Sequence, residues 1–208
     1  MIPIYIYTDP SNLEQGLTYK NFQSHFLEIC KSHQVTERAL MFSFILYDLE
    51  NPEIPELLHK NSYWNSLNVI SGKYLTVFYI DTGKTEGIRV LKKIDNISET
   101  LLSPHLSKNY YSQYPSIIFF QVSNSEVINA CYVKIKTESF EATFKEIKYY
   151  LENVVEILKG ISKENYSNHK EIFELVEQRI KSIKSARVVK QLIYYTKSVK
   201  DFLSIFSV

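Results

Sequence analysis

The sequence predicts an α/β domain, a three-layer sandwich with a mixed sheet in the order βαβαβαββα, followed by a C-terminal helical extension. Two observations carry this. Between residues 2 and 94, short β-branched or aromatic runs alternate with segments whose apolar residues recur at helical spacing. Such alternation demands parallel strands with helices on both faces. From Tyr114 to Leu151 the order changes to proline, apolar strand, tight turn, second strand and amphipathic helix. Two strands joined by a tight turn form a hairpin, so they add an antiparallel edge.

Residues 2–7 alternate and are rich in Ile and Tyr, which predicts a first strand. Asp9-Pro10-Ser11-Asn12 is turn chemistry. A helix is predicted from Leu17 to His33, with Phe22, Phe26, Ile29 and Cys30 on one face. Leu40 to Tyr47 is nearly continuous apolar, as a strand buried on both faces should be. Asp48 to Pro55 reads as a polar loop, and a short helix is predicted over Glu56 to Trp64. Tyr74 to Ile80 is a second buried strand between Gly72 and Asp81-Thr82-Gly83, and Ile88, Leu91 and Ile94 suggest another helix.

Residues 95–113 are the least regular part. Pro115 opens the run Ser116 to Val122, Ser123-Asn124-Ser125 breaks it, and Glu126 to Lys136 alternates. Phe144, Ile147, Leu151, Val154, Val155 and Leu158 then mark a helix from Phe140 to Lys159, with Gly160 as its expected C-cap. Asn168 and Glu171 have the spacing of an N-cap and its partner. The natural division is therefore a domain over residues 1–160 and a basic amphipathic helical tail over 161–208.

A chain of 208 residues can bury roughly 70% of the surface its unfolded form exposes, enough for a core without staples. Its net charge of +1 implies no whole-protein attraction to nucleic acid or lipid. Cys30 and Cys131 form no C-x-x-C pair, so two buried reduced thiols are expected rather than a disulfide framework. The N-terminal run lacks a basic n-region and is too short for a signal peptide. No stretch approaches the ~20 apolar residues needed to span a bilayer. A cytoplasmic protein is expected, and the Lys, Asn, Ile and Tyr bias hints at an AT-rich, bacterial genome.

With Gly72-Lys73-Tyr74-Leu75-Thr76-Val77-Phe78-Tyr79-Ile80-Asp81 as a central strand and Tyr114-Pro115-Ser116-Ile117-Ile118-Phe119-Phe120 as a proline-opened strand, the order of elements over residues 2–160 resembles the thioredoxin-like superfamily. The resemblance implies that the strand at 40–47 leads into a C-x-x-C motif at a helix N-terminus, where a thiol pKa is lowered. Here the loop reads Asp48-Leu49-Glu50-Asn51-Pro52-Glu53-Ile54-Pro55, without Cys or Ser. Its carboxylates disfavour a thiolate, so neither thiol–disulfide exchange nor glutathione transfer is expected. By the same resemblance Pro115 corresponds to the family's cis-proline. The backbone of Tyr114 would then pair with an extended partner peptide, beside Asn51 and Glu53. The plainer account is that Pro115 opens a strand, where proline is tolerated.

Other candidates are weighed on residue chemistry alone. Asp9, Asp48 and Asp81 each follow a predicted strand, and parallel strands would put them at one sheet edge, where carboxylates can hold Mg²⁺ for phosphoryl or nucleotide chemistry. Asp is equally a turn and cap residue. Thr82-Gly83-Lys84-Thr85 ends like a phosphate-binding loop, but Phe78 stands where its first glycine belongs. His25, Cys30 and His33 share a helix but cannot converge on one ion, and no metal or cofactor is expected.

The stronger lead is the tail. Arg179, Lys181, Lys184, Arg187, Lys190, Lys197 and Lys200 run uninterrupted by Asp or Glu, while Leu192, Phe202, Phe206 and other apolar residues recur at three- and four-residue spacing. One or two basic amphipathic helices are expected there. The favoured role is self-association or docking on a protein partner, because an apolar stripe must be covered. Nucleic-acid binding, with Tyr194 and Tyr195 among the lysines, is the weaker alternative. A redox-inactive interaction module, an accessory or oligomerising subunit of a larger complex, is the expected function, with the phosphoryl enzyme of the acidic edge as its alternative.

Overall fold

The computed structural model describes residues 1–5, 17–18, 28–47, 53–72, 74–81, 115–123, 126–136, 139–183, 192–193 and 197–198. Five strands form the body of a mixed sheet: β1 (Ile2–Tyr5), β3 (Ala39–Leu46), β4 (Tyr74–Asp81), β5 (Ser116–Ser123) and β6 (Glu126–Lys134). Their order across the sheet is β1-β4-β3-β5-β6. β1, β4 and β3 run parallel, as crossover connections require, whereas β5 is antiparallel to both β3 and β6. One row of backbone partners crosses the whole body: Ile2, Phe78, Phe44, Ile118 and Tyr132.

Short pairings extend both sides. β2 (Leu17–Thr18) runs parallel to β1, and β7 (Leu192–Ile193) and β8 (Lys197–Ser198) run antiparallel to β6.

Every residue of β3 from Ala39 to Leu46 is buried, as its unbroken apolar run predicts. Period-2 geometry sends Met41, Ile45, Val77, Phe119, Cys131 and Val133 to one face. There they share a core with α2 (Glu53–His59), α3 (Asn61–Ser71), α4 (Phe140–Gly160) and α5 (His169–Ile183). The other face carries Phe42, Phe44, Phe78, Ile118 and Phe120, all buried. Phe42 stacks on Phe120 at 5.8 Å and on Phe78 at 6.4 Å. α1, helical over 28–35, meets this face, where His33 Nδ1 lies 2.6 Å from the Oγ1 of Thr76. Helices therefore cover both faces of the sheet.

Local chemistry explains the helix ends. Ser139 caps α4 by accepting from the Ala142 N–H at 3.2 Å. Asn168 accepts from the Glu171 N–H, and its amide donates back to the Glu171 carboxylate at 2.6 Å, the reciprocal pair that the spacing predicts. Lys60 divides the predicted single helix after Pro55 into α2 and α3. Trp64 of α3 donates to the Tyr79 hydroxyl at 2.9 Å, and Tyr63 meets Phe140 and Phe144 edge-on at 4.8 and 4.6 Å.

Three expectations are corrected. Leu17 and Thr18 are not the first turn of a helix but pair with Ile4 and Tyr5; a two-residue backbone bridge leaves no period in a sequence. Gly160 is the last residue of α4, and the cap is extended Ile161, whose N–H reaches the Leu158 carbonyl at 3.3 Å, so no left-handed glycine is needed. The tail is helical to Ile183, but residues 192–193 and 197–198 are extended against β6. The run Leu192-Ile193-Tyr194-Tyr195-Thr196 is strand-favouring chemistry, and β6 offers unpaired edge groups for it.

α5 belongs to the main core: Ile172, Phe173, Val176 and Ile180 are all buried in it. Phe173→Ala should therefore lower unfolding free energy by about 3–5 kcal/mol in urea titration. A loosely docked tail would give a loss below about 1 kcal/mol.

Candidate functional site

The carboxyl ends of β1, β3 and β4 meet at one edge, because Tyr5 is level with Asp81 and Ile45 with Tyr79. Open α/β sheets bind ligands at such an edge. Leu46, at the end of β3, pairs with Ser116, so buried Pro115 sits beside the exit of β3. The Pro115 carbonyl accepts from the Ile135 N–H at 2.7 Å, which makes proline the last rung of the β5–β6 hairpin. Next to it the Ser116 hydroxyl is buried with no hydrogen-bond partner among the described residues. Glu53 opens α2, the helix that follows the β3 exit.

Of the groove predicted from sequence, Pro115 stands beside the end of β3 and Glu53 opens α2, while Tyr114 and Asn51 lie outside the described residues. Of the acidic edge, Asp81 ends β4; Asp9 and Asp48 lie outside the described residues. Among the described residues no three His, Cys, Asp or Glu side chains are grouped to hold a metal ion.

Neither cysteine is near that edge in a reactive form. Cys131 lies in the helix-covered core opposite Phe119, and Cys30 is on α1, at the other face. Both are buried, and neither is in a disulfide. Burial pushes the Cys30 thiol far above its ordinary range, the opposite of what a nucleophile needs.

The tail residues divide. Arg179 is engaged within the chain: its Nε donates to Asn153 Oδ1 at 2.9 Å and its Nη2 to Glu156 at 3.2 Å, tying α5 to α4. Leu192 is level with Cys131 at the β6 edge. Lys184, Arg187, Lys190, Phe202 and Phe206 lie outside the described residues.

Sequence reasoning missed a second concavity, at the opposite edge of the sheet. A cavity of about 290 Å³ opens between Gln34, Ala39, Leu40, Val122, Ser123, Tyr166 and His169. These residues come from five separate stretches of chain and share no spacing, so no motif announces them. Comparison with family models, curated proteins and solved structures gives no match. The sites therefore rest on their own chemistry.

Two outcomes follow from the buried groups. Ellman's reagent should leave both thiols of the native protein essentially unreacted and titrate two after unfolding; rapid reaction of a native thiol contradicts the burial. Burial, then the charge of Arg38, holds the His33 imidazole below its ordinary 6.5, and burial does the same to His169. Between those lowered values and about 6.5 the unfolded chain binds more protons, so the contribution of these two imidazoles climbs with pH through that window and levels off above it. The Met1 amino group, held by burial at about 6 against an ordinary 8.0, extends the rise to about pH 8. The urea midpoint should fall on acidification below about pH 6.5, and the double variant His33→Asn, His169→Asn should flatten this part of the profile. An unchanged slope contradicts the assignment.

Proposed function

We propose that the chain is a redox-inactive thioredoxin-like protein-interaction module, an accessory or oligomerising subunit of a larger complex. The single observation supporting it most is the sheet. A parallel β1-β4-β3 core and an antiparallel β5–β6 edge, with a buried proline opening β5 beside the exit of β3, are what that resemblance implies. The position where the family carries its thiols is occupied by Asp48-Leu49-Glu50-Asn51-Pro52, and both actual thiols are buried in other layers. What remains for such a scaffold is surface recognition.

On this reading the backbone before Pro115 pairs with an extended partner segment at the carboxyl edge. The basic residues beyond α5 attach the module to an acidic surface on its partner or on a second copy. Lys184, Arg187 and Lys190 carry three positive charges within seven residues with no carboxylate among them. A surface of that kind accelerates and orients association with a negatively charged patch.

Light scattering coupled to size exclusion tests the attachment role on the full chain. The wild type should form a defined oligomer whose stability declines with added salt. Lys184→Glu, Arg187→Glu, Lys190→Glu together should give a folded monomer. A monomeric wild type indistinguishable from the triple variant removes the self-association reading. A dithiol-reductase assay with an insulin-type substrate should show no turnover; measurable turnover overturns the redox-inactive reading.

A further inference from the structure

The corner where β3 begins and β5 ends gathers the irregular backbone of the described chain. β3 shifts register against β4 between Ala39 and Met41, and β5 shifts against β6 between Gln121 and Val122. Bulges of this kind re-aim side chains and recur beside binding sites. The two described non-glycine residues with positive φ, Glu37 at 55° and Tyr74 at 73°, flank the same corner, and Tyr74 is level with Ala39. Glu37 is the left-handed residue that closes α1: its N–H reaches the Gln34 carbonyl at 3.0 Å and the Arg38 N–H reaches the His33 carbonyl at 2.8 Å, the paired bonds of a helix C-cap. Tyr74 is the left-handed residue at the start of β4, where functional sites often hold such backbone.

Gln34, on the last turn of α1, donates to the Val122 carbonyl at 2.6 Å and pins the end of β5. Lys163 ties the turn holding Glu37 to the short helix Lys163–Asn165 through an exposed ion pair at 2.5 Å. Between these clamps lies the cavity of about 290 Å³. That volume is equivalent to roughly ten waters at ~30 Å³ each, and sits at the small end of ligand pockets, near 300 Å³.

Its lining sets the chemistry. Ser123, Tyr166, Gln34 and His169 supply hydroxyl, amide and imidazole groups, and Ala39, Leu40 and Val122 supply apolar walls. Among the described residues no Asp, Glu, Lys or Arg lines it. Burial also favours the neutral imidazole of His169, whose Nδ1 is buried with no hydrogen-bond partner among the described residues. A charged ligand would shed hydration there without meeting a counter-charge. An uncharged ligand with both donors and acceptors would be matched, and a flat ring suits a lining that combines aliphatic walls with two aromatic side chains.

We propose that this corner, at the edge opposite Pro115, is a binding site for a small uncharged heteroaromatic ring of the nucleobase or nucleoside class. The site shares no residue with the carboxyl edge or with the basic residues beyond α5, so it stands or falls separately from the interaction role.

Titration of the full chain with adenosine, guanosine, cytidine and uridine, followed by ¹H–¹⁵N correlation spectra, tests it. At least one nucleoside should bind saturably, shifting the amides of Gln34, Val122, Ser123 and His169. Its 5′-monophosphate should bind about tenfold more weakly, because the lining offers no counter-charge. Ser123→Leu, which fills the cavity, should abolish binding. The gentler Tyr166→Phe and His169→Phe, checked for native melting, should weaken it by about tenfold where they remove a hydrogen bond. The proposal is overturned if no nucleoside binds at millimolar concentration, if the shifts map elsewhere, if the monophosphate binds as well as the nucleoside, or if the folded variants bind like wild type.

Discussion

From Met41 to Leu46 β3 exposes essentially nothing on either face. Phe42 and Phe44 are buried on one side and Met41 and Ile45 on the other. Its amides and carbonyls consequently have to be met by neighbouring strands, since an orphaned buried backbone group costs about as much as a lost hydrogen bond. They are met by two different kinds of neighbour, parallel β4 and antiparallel β5. Each is itself largely buried, so the centre of the sheet is a three-strand apolar slab. All else in the fold follows from the need to pair and cover it.

Covering the slab produces two layers of unequal character. One face receives α2 through α5, fastened by Trp64 on Tyr79 and by the aromatic contacts of Tyr63. The other carries the phenylalanine stack and meets α1, where His33 engages Thr76. Because the sheet separates the layers, it also separates the thiols, and burial leaves them to packing. The two ends of β3 then acquire different roles. Its carboxyl end lies beside a proline and leads into a thiol-free sequence; its amino end lies beside bulges, left-handed residues and a cavity.

Legibility in the sequence tracked how local each signal was. The buried strand β3, the hairpin begun by Pro115 and the 21-residue helix α4 could be read directly, since unbroken apolar runs, a turn and a 3.6-residue period are properties of adjacent residues. The central place, however, was assigned from sequence to Tyr74–Asp81, and the sheet gives it to β3. α3 was underestimated because Asn and Ser fill much of Asn61–Ser71 and leave a weak stripe. The pairing of Leu17 with Ile4, and of 192–198 with β6, depends on partners far along the chain. The register shift at Ala39/Met41 is equally invisible, because a bulge is a relation between two strands rather than a property of one. The cavity inherits that invisibility. By contrast the carboxyl-edge residues could be nominated in advance, because position after a strand is a local property.

The central claim is the placement of β3 between a parallel and an antiparallel partner. Cross-strand nuclear Overhauser effects on the full chain test it most directly. The account predicts an antiparallel pattern between Phe44 and Ile118 together with a parallel pattern between Phe44 and Phe78. Contacts of Phe44 with only one of these strands, or an antiparallel pattern to β4, would contradict it.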